Sequence, residues 1–202
     1  KPPEMNQSET FPASSAALEA YRSRLVEAIG GLDMQTVSNF VSTLLEVRHR
    51  GGTVFIAGNG GSTSTASHYV VDWMLGTGIV DPPLPAIALA DNLSGVTATG
   101  NDVDFDSIFS RPLSTLGKKD DLLVVVSASG NSPNLVSAVN QARLVGISVA
   151  AITGFDGGAL REIADVAIHV PTAIGDYGVA EDIHLMVGHM VKEALIEAVR
   201  NE

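Results

Sequence analysis

A chain of 202 residues with 45% hydrophobic content can bury one sizeable core and is too short for two large independent ones. Twelve Lys and Arg against 23 Asp and Glu give a formal charge of −11, which disfavours a general nucleic-acid or anionic-membrane surface through long-range repulsion. The absence of cysteine excludes disulfides, thiolate zinc sites and a cysteine nucleophile, and it fits a reducing compartment.

Residues 1–15 hold Pro2, Pro3 and Pro12 among polar residues, without an apolar run that could target or span. They read as a flexible arm on a cytoplasmic protein, and residues 16–202 as a single domain. From Ala16 to Gly30, Leu18, Tyr21, Leu25 and Ile29 recur at helical spacing, and Leu32–Arg50 repeats the pattern through Val37, Val41, Leu44, Leu45 and Val47. Gly51 and Gly52 stop that second helix, and Thr53–Ala57 follows as a short β-rich run. A glycine loop then opens a helix over Ser62–Leu75, and three prolines precede a second strand at Ala86–Leu89.

Asp91–Asp106 reads as helix and loop, Leu122–Val126 as a buried strand, and Leu135–Val145 as a helix. Ser148–Ile152 and Val166–Val170 are further strands around a short helix at Ala159–Ile163, and Ala180–Val199 closes the chain as an amphipathic helix. Apolar runs alternating with helical patterns predict a three-layer α/β/α sandwich on a mainly parallel five-stranded sheet, preceded by N-terminal helices. The pattern leaves strand order open, but ligands on such sheets favour the carboxyl ends of strands.

Two polar loops occupy such ends. Gly58-Asn59-Gly60-Gly61-Ser62 leaves the first strand and starts a helix, whose unpaired N–H groups attract an anion or a sugar oxygen. It lacks the spacing of a dinucleotide fingerprint and the Lys of a Walker loop, so no nucleotide cofactor is expected. Ser127-Ala128-Ser129-Gly130-Asn131-Ser132 brings three hydroxyls to another helix start, where neutral donors and the helix dipole together suit a phosphate. A plain capping role for Ser132 ahead of Pro133 is the competing account.

His68 and Asp72 stand four apart on one helical face, the spacing of a shared metal, a proton-transfer pair or a local hydrogen bond. The last helix carries Glu181, His184 and His189. Eight residues separate Glu181 from His189, about 12 Å and roughly 80° on an ideal helix, so one straight helix does not easily offer both to a single ion. His184 and His189 face apart, which suggests a cleft role for one and a cap or interface for the other.

In order along the chain stand GNGGS at Gly58–Ser62 followed by His68, NDVDF at Asn101–Phe105, SASGNSPN at Ser127–Asn134, TGFDGG at Thr153–Gly158 and EDIHLMVGH at Glu181–His189. This set resembles the phosphoheptose isomerase group of the sugar isomerase (SIS) domain family. The resemblance implies a homotetrameric cytoplasmic enzyme interconverting sedoheptulose 7-phosphate and D-glycero-D-manno-heptose 7-phosphate through an enediol or enediolate. It implies sugar-phosphate contacts from Asn59, Gly60, Gly61, Ser62 and Asp102, and a phosphate site from Ser127, Ser129 and Ser132. His68, Asp72, Glu181 and His189 match the group's metal or catalytic positions, with a divalent ion such as zinc and active sites shared between subunits. Asp72 or Glu181 would be the base and His189 the acid.

Asp72 and Glu181 depart from the group's usual Glu and Gln, and Gly178 replaces an acidic residue. These departures keep two alternatives in view. One is an isomerase for a different phosphosugar; the other is a non-catalytic phosphosugar-binding regulator that docks on a DNA-replication initiator protein. Neither direct nucleic-acid contact nor membrane association is expected.

Overall fold

The computed structural model describes residues 15–202, so the expected arm falls, apart from Ser15, outside the described residues. Two helices, α1 (Ser15–Gly30) and α2 (Met34–His49), precede the first strand, β1 (Val54–Gly58). Asp33 starts α2 by accepting a hydrogen bond from the Gln35 N–H at 2.9 Å, which satisfies one of the free donors of the first turn. After β1 come α3 (Gly61–Val70), β2 (Ala86–Ala88), α4 (Leu93–Asp102) and α5 (Ser110–Leu116). The chain then runs through β3 (Leu122–Ser127), α6 (Pro133–Val145), β4 (Ser148–Thr153), α7 (Gly158–Ile163), β5 (Val166–His169) and α8 (Tyr177–Arg200).

All five strands are parallel, in the order β2-β1-β3-β4-β5. Consecutive strand residues alternate between faces, and the core divides accordingly. Val54, Ile56, Leu122, Val124 and Ile152 pack under α1, α2, α3 and α8, while Phe55, Ala57, Leu123, Val125 and Val149 pack under α5, α6 and α7. Burial on both faces is why these strands read as continuous apolar runs. The sandwich is the expected architecture.

Two local features depart from the sequence reading. The helix expected over Ser62–Leu75 changes at Val71 into a π-helical segment that runs to Gly76 and carries Asp72. Helix α5 was not anticipated, because Ser110–Leu116 is short and interrupted by Pro112. It is held by burying Leu113 in the core.

The strand order decides where a ligand can sit. From β1 the chain passes outward to β2, then returns to lay β3 against the other side of β1. The polar loops after β1 and β3 are therefore neighbours at the point where the winding reverses, a natural crevice at the carboxyl ends of a parallel sheet. Among the described residues, no helix is long and apolar enough to cross a membrane.

Candidate active site

The two loops are physically joined. Asn59 donates from Nδ2 to Asn134 Oδ1 at 2.9 Å, and Asn134 Nδ2 returns a bond to Asn59 Oδ1 at 2.8 Å. Beside this amide pair opens a cleft of about 500 Å³, lined by Asn59, Gly60 and Thr63 from one loop and Ser132 and Asn134 from the other. Phe105 and Asp106 complete its wall.

The serine loop is shaped by its own hydroxyls. Ser127 Oγ accepts from the Gly130 N–H at 3.1 Å and Ser129 Oγ from the Asn131 N–H at 3.3 Å, so each shapes the loop as an acceptor and keeps its own proton to donate; Ser127 is buried, and neither it nor Ser129 lines the cleft. Gly130 turns through a φ of 66°, and a Cβ there would lie 1.9 Å from the Gly157 carbonyl oxygen, so this turn requires glycine. Asn131 Oδ1 in turn accepts from the Ala159 N–H at the start of α7 at 3.0 Å, tying the Thr153–Gly158 segment to the cradle. Ser132 occupies the N-cap of α6, yet its side chain makes no capping hydrogen bond. Its half-buried hydroxyl is thus available to a ligand, against the plain capping account. Across the cleft, α3 starts at Gly60 without a side-chain cap, and Ser62 is buried in its first turn.

A second group forms where α3 and its π-helical extension meet α8. His68 and His189 face each other with Nε2 atoms 3.1 Å apart, and Asp72 Oδ2 lies 3.3 Å from His68 Nε2 and 3.4 Å from His189 Nε2. The three atoms make a nearly equilateral triangle. Ligand atoms on two corners of a tetrahedral zinc site stand about 3.3 Å apart when the bonds are about 2.0–2.1 Å, so this spacing suits a metal with one open position. Asp72 Oδ2 is buried and has no hydrogen-bond partner, an orphan that a cation would satisfy. The His68 and His189 side chains are 46% and 51% exposed, so the triad opens to one side. These residues form a group able to hold a metal ion.

The wall behind the triad is rigid. Trp73 Nε1 donates to the Gly188 carbonyl at 3.1 Å, and the Tyr69 hydroxyl donates to the His184 carbonyl. Tyr69 stacks on Trp73 with ring centroids 4.4 Å apart. A π-helical register at a functional position re-aims a side chain that a regular helix would carry elsewhere, and here the re-aimed residue is Asp72.

Several anticipated residues stand elsewhere. Glu181 does not join the triad within one chain; its carboxylate packs on the glycine loop, where a Cβ on Gly61 would lie 2.2 Å from Oε2. The straight-helix separation from His189 is real and is not relieved by an irregular helix start. Asp102 is exposed and does not line that cleft; it borders an adjoining groove of about 360 Å³ with Arg111 and Thr115, which shares Val96 and Ile108 with the cleft. Asp106, not singled out by sequence, lines the cleft instead. His184 neither lines the cleft nor caps a helix. It is fully buried, and burial pushes its imidazole down to about 4.

Two further residues escaped the sequence reading. Asn134 was visible inside SASGNSPN but carried no assigned role. Lys192, three residues after His189 and therefore on its face of α8, donates to Asp72 Oδ1 at 3.1 Å. At the start of α8, Tyr21 donates to Asp182 at 2.5 Å, and that hydrogen bond to a carboxylate raises the phenol to about 12.

The SIS domain family matches residues 19–154. The phosphoheptose isomerase of Chlorobaculum parvum is 36% identical over 181 residues, spanning 89% of this chain and 86% of that protein. That of Rhodospirillum rubrum is 42% identical over 142 residues, spanning 70% of this chain and 74% of its own length. The solved structure of the phosphoheptose isomerase from Neisseria gonorrhoeae superposes with a TM-score of 0.80 at 30% identity, covering 91% of this chain and 96% of that one. The chain belongs to the SIS domain family and, within it, to the phosphoheptose isomerase group.

Proposed function

We propose that this protein is an aldose–ketose isomerase that interconverts sedoheptulose 7-phosphate and D-glycero-D-manno-heptose 7-phosphate. The observation that carries the reading is the Asn59–Asn134 pair, which joins both polar loops at one crevice just ahead of α3, the helix whose last turn carries His68 of the triad. Seven residues of helix separate Gly61 from His68, about 10 Å along the axis. An extended seven-carbon sugar phosphate bridges such a span; a triose phosphate does not.

In this reading Ser127, Ser129 and Ser132 donate to the phosphate, with the first turn of α6 adding favourable potential. Asn59, Gly60, Gly61 and Ser62 border the sugar. The phosphate is an anchor, and its binding orients the carbonyl end toward the acid–base groups. Glu181 lies on Gly61, about 10 Å from its own chain's triad, so it serves as base in an active site shared between subunits: there it removes the proton from the carbon beside the carbonyl, and the bonding pair forms the enediolate. The hydroxyl proton on that carbon's oxygen passes to the former carbonyl oxygen, and the same carboxylic acid delivers the carbon-bound proton to the former carbonyl carbon as the new carbonyl forms. Asp72 is the poorer base, because Lys192 occupies one oxygen and two imidazoles face the other.

The triad fits a divalent ion such as zinc, with His68, Asp72 and His189 as its holders. When bound, the ion polarises the sugar carbonyl and stabilises charge on its oxygen. His189 Nε2 can either hold the ion or donate a proton, since both use the same atom; with the ion in place Glu181 carries the proton alone. A homotetramer in the cytoplasm completes the reading. Association between subunits is supported by Val71, Leu75 and Val80, which are 55%, 65% and 81% exposed on the segment carrying Asp72 and just after it.

An isomerase assay over five- to seven-carbon phosphosugars, on metal-stripped and zinc-restored protein, tests the proposal. Turnover of the heptose pair together with exchange of the C1 or C2 proton into solvent is the expected result. Phosphosugar binding without exchange would overturn it.

A further inference from the structure

The carboxylate of Asp72 is divided between two neighbours. Its Oδ2 faces both imidazoles, at 3.3 and 3.4 Å, while its Oδ1 accepts from Lys192 Nζ at 3.1 Å. The Lys192 side chain is only 27% exposed. Its ammonium rests against the last residue of the π-helical segment, where a Cβ on Gly76 would come within 2.9 Å of Nζ. A glycine at the close of that segment therefore makes the room that the ammonium fills, and a charge-assisted hydrogen bond keeps it there.

With Oδ1 occupied, Asp72 presents a single oxygen to a cation. The formal charges of Asp72 and Lys192 cancel and the two imidazoles are neutral donors, so the site before loading carries no net charge. A divalent ion seated there meets one carboxylate whose charge Lys192 already offsets, and it is repelled by the ammonium behind Asp72. Such a site holds its cation loosely and keeps a strong pull on an anionic oxygen.

We propose that Lys192 is a positioning residue that locks Asp72 into single-oxygen presentation, holding the triad's cation affinity down and leaving the seated ion's charge for the substrate oxygen. The inference rests on the metal reading above and deepens it. No feature of the five motifs points to this role, because it depends on a side chain outside them.

The test is a zinc titration of metal-stripped wild-type, Lys192→Met and Lys192→Arg proteins in competition with a chromophoric chelator. Lys192→Met removes the charge, keeps the bulk and frees Asp72 Oδ1, and it is expected to bind zinc at least about tenfold more tightly than wild type. Lys192→Arg, which keeps the charge, stays within about threefold of wild type. Damaged packing would loosen zinc, so tighter binding separates this role from a merely structural one. If wild type binds one equivalent and Lys192→Met binds equally or more weakly, or if Lys192→Arg tightens as much as Lys192→Met, the inference falls and the metal reading stands. If neither wild type nor Lys192→Met takes up zinc, both fall together.

Discussion

Asn59 and Asn134, 75 residues apart in sequence, exchange two amide hydrogen bonds across the seam between β1 and β3. The pair fixes the separation of the glycine and serine loops, so the cleft between them is set before any ligand arrives. Asn134 is 1% exposed, and a lone Asn59 amide in that position would lose its partner. Asn134→Ala is expected to cost about 1–3 kcal/mol of unfolding free energy by urea denaturation. It should also raise KM for the phosphosugar, because the two halves of the cradle no longer hold their spacing.

Ser132 offers the cleanest separation of binding from folding. Loss of a working N-cap hydroxyl costs about 1 kcal/mol, but this hydroxyl makes no cap bond. Ser132→Ala is therefore expected to leave stability within about 0.5 kcal/mol of wild type, as for an uninvolved surface substitution. Steady-state kinetics should show a KM increased about tenfold, the loss of roughly one hydrogen bond to a charged group, with a smaller change in kcat.

The opposite split is expected for Glu181. Glu181→Gln keeps the shape of the side chain, installs the group's usual residue and removes the ability to take a proton: a kcat lowered by about 10²–10⁴ with phosphosugar affinity retained is expected of the base, and an unchanged kcat would return that role to Asp72. Gly61→Ala reaches the same group from the other side. A methyl at Gly61 would collide with the Glu181 carboxylate, and displaced Glu181 should lower kcat in a protein whose far-ultraviolet circular dichroism is unchanged.

His184 gives the fold a pH dependence unrelated to the reaction. Both ring nitrogens are buried without hydrogen-bond partners, and burial depresses the imidazole from its ordinary value of 6.5 to about 4. In the unfolded chain the ring takes a proton as pH falls through 6.5, whereas the folded chain resists until about 4. Between those values the unfolded state binds more protons, so the stability contributed by the neutral ring is full above 6.5 and is lost on acidification toward 4. The difference amounts to about 3 kcal/mol. Denaturation of wild type and His184→Met at pH 7 and pH 4.5 checks it: the variant should lose visibly less stability than wild type on acidification.

Chelation addresses the triad directly. Dialysis against a strong chelator is expected to lower kcat at least tenfold, with recovery on adding zinc, and His68→Ala should abolish the recovery without raising KM for phosphate anchoring. Full activity after exhaustive stripping would remove the metal from the mechanism.

Much of the fold was legible because its signals are local. A buried strand announces itself in five or six consecutive apolar residues such as Leu122–Val126, and an amphipathic helix in the spacing of Ile183, Val187 and Val191. Loops rich in glycine and serine after such strands mark where a phosphate can meet helix N-termini. Resemblance to a known group added the histidines and carboxylates. Local periodicity carries no information about the π-helical register at Val71–Gly76, nor about Ser110–Leu116, whose helix is maintained by the burial of Leu113.

By itself, then, the sequence determined the layers, the approximate strands and the polar loops, since each depends on neighbours within a few residues. Tertiary structure alone decided that β1 lies beside β3, that His68 meets His189 across 121 residues, and that Lys192 reaches Asp72 across 120. It also set Glu181 on Gly61 and Asp102 in the groove beside the cleft. The physical reason is that strand pairing and helix docking bring together groups remote in the chain. Their distances follow from how the two faces of one sheet are covered, which no short window of residues records.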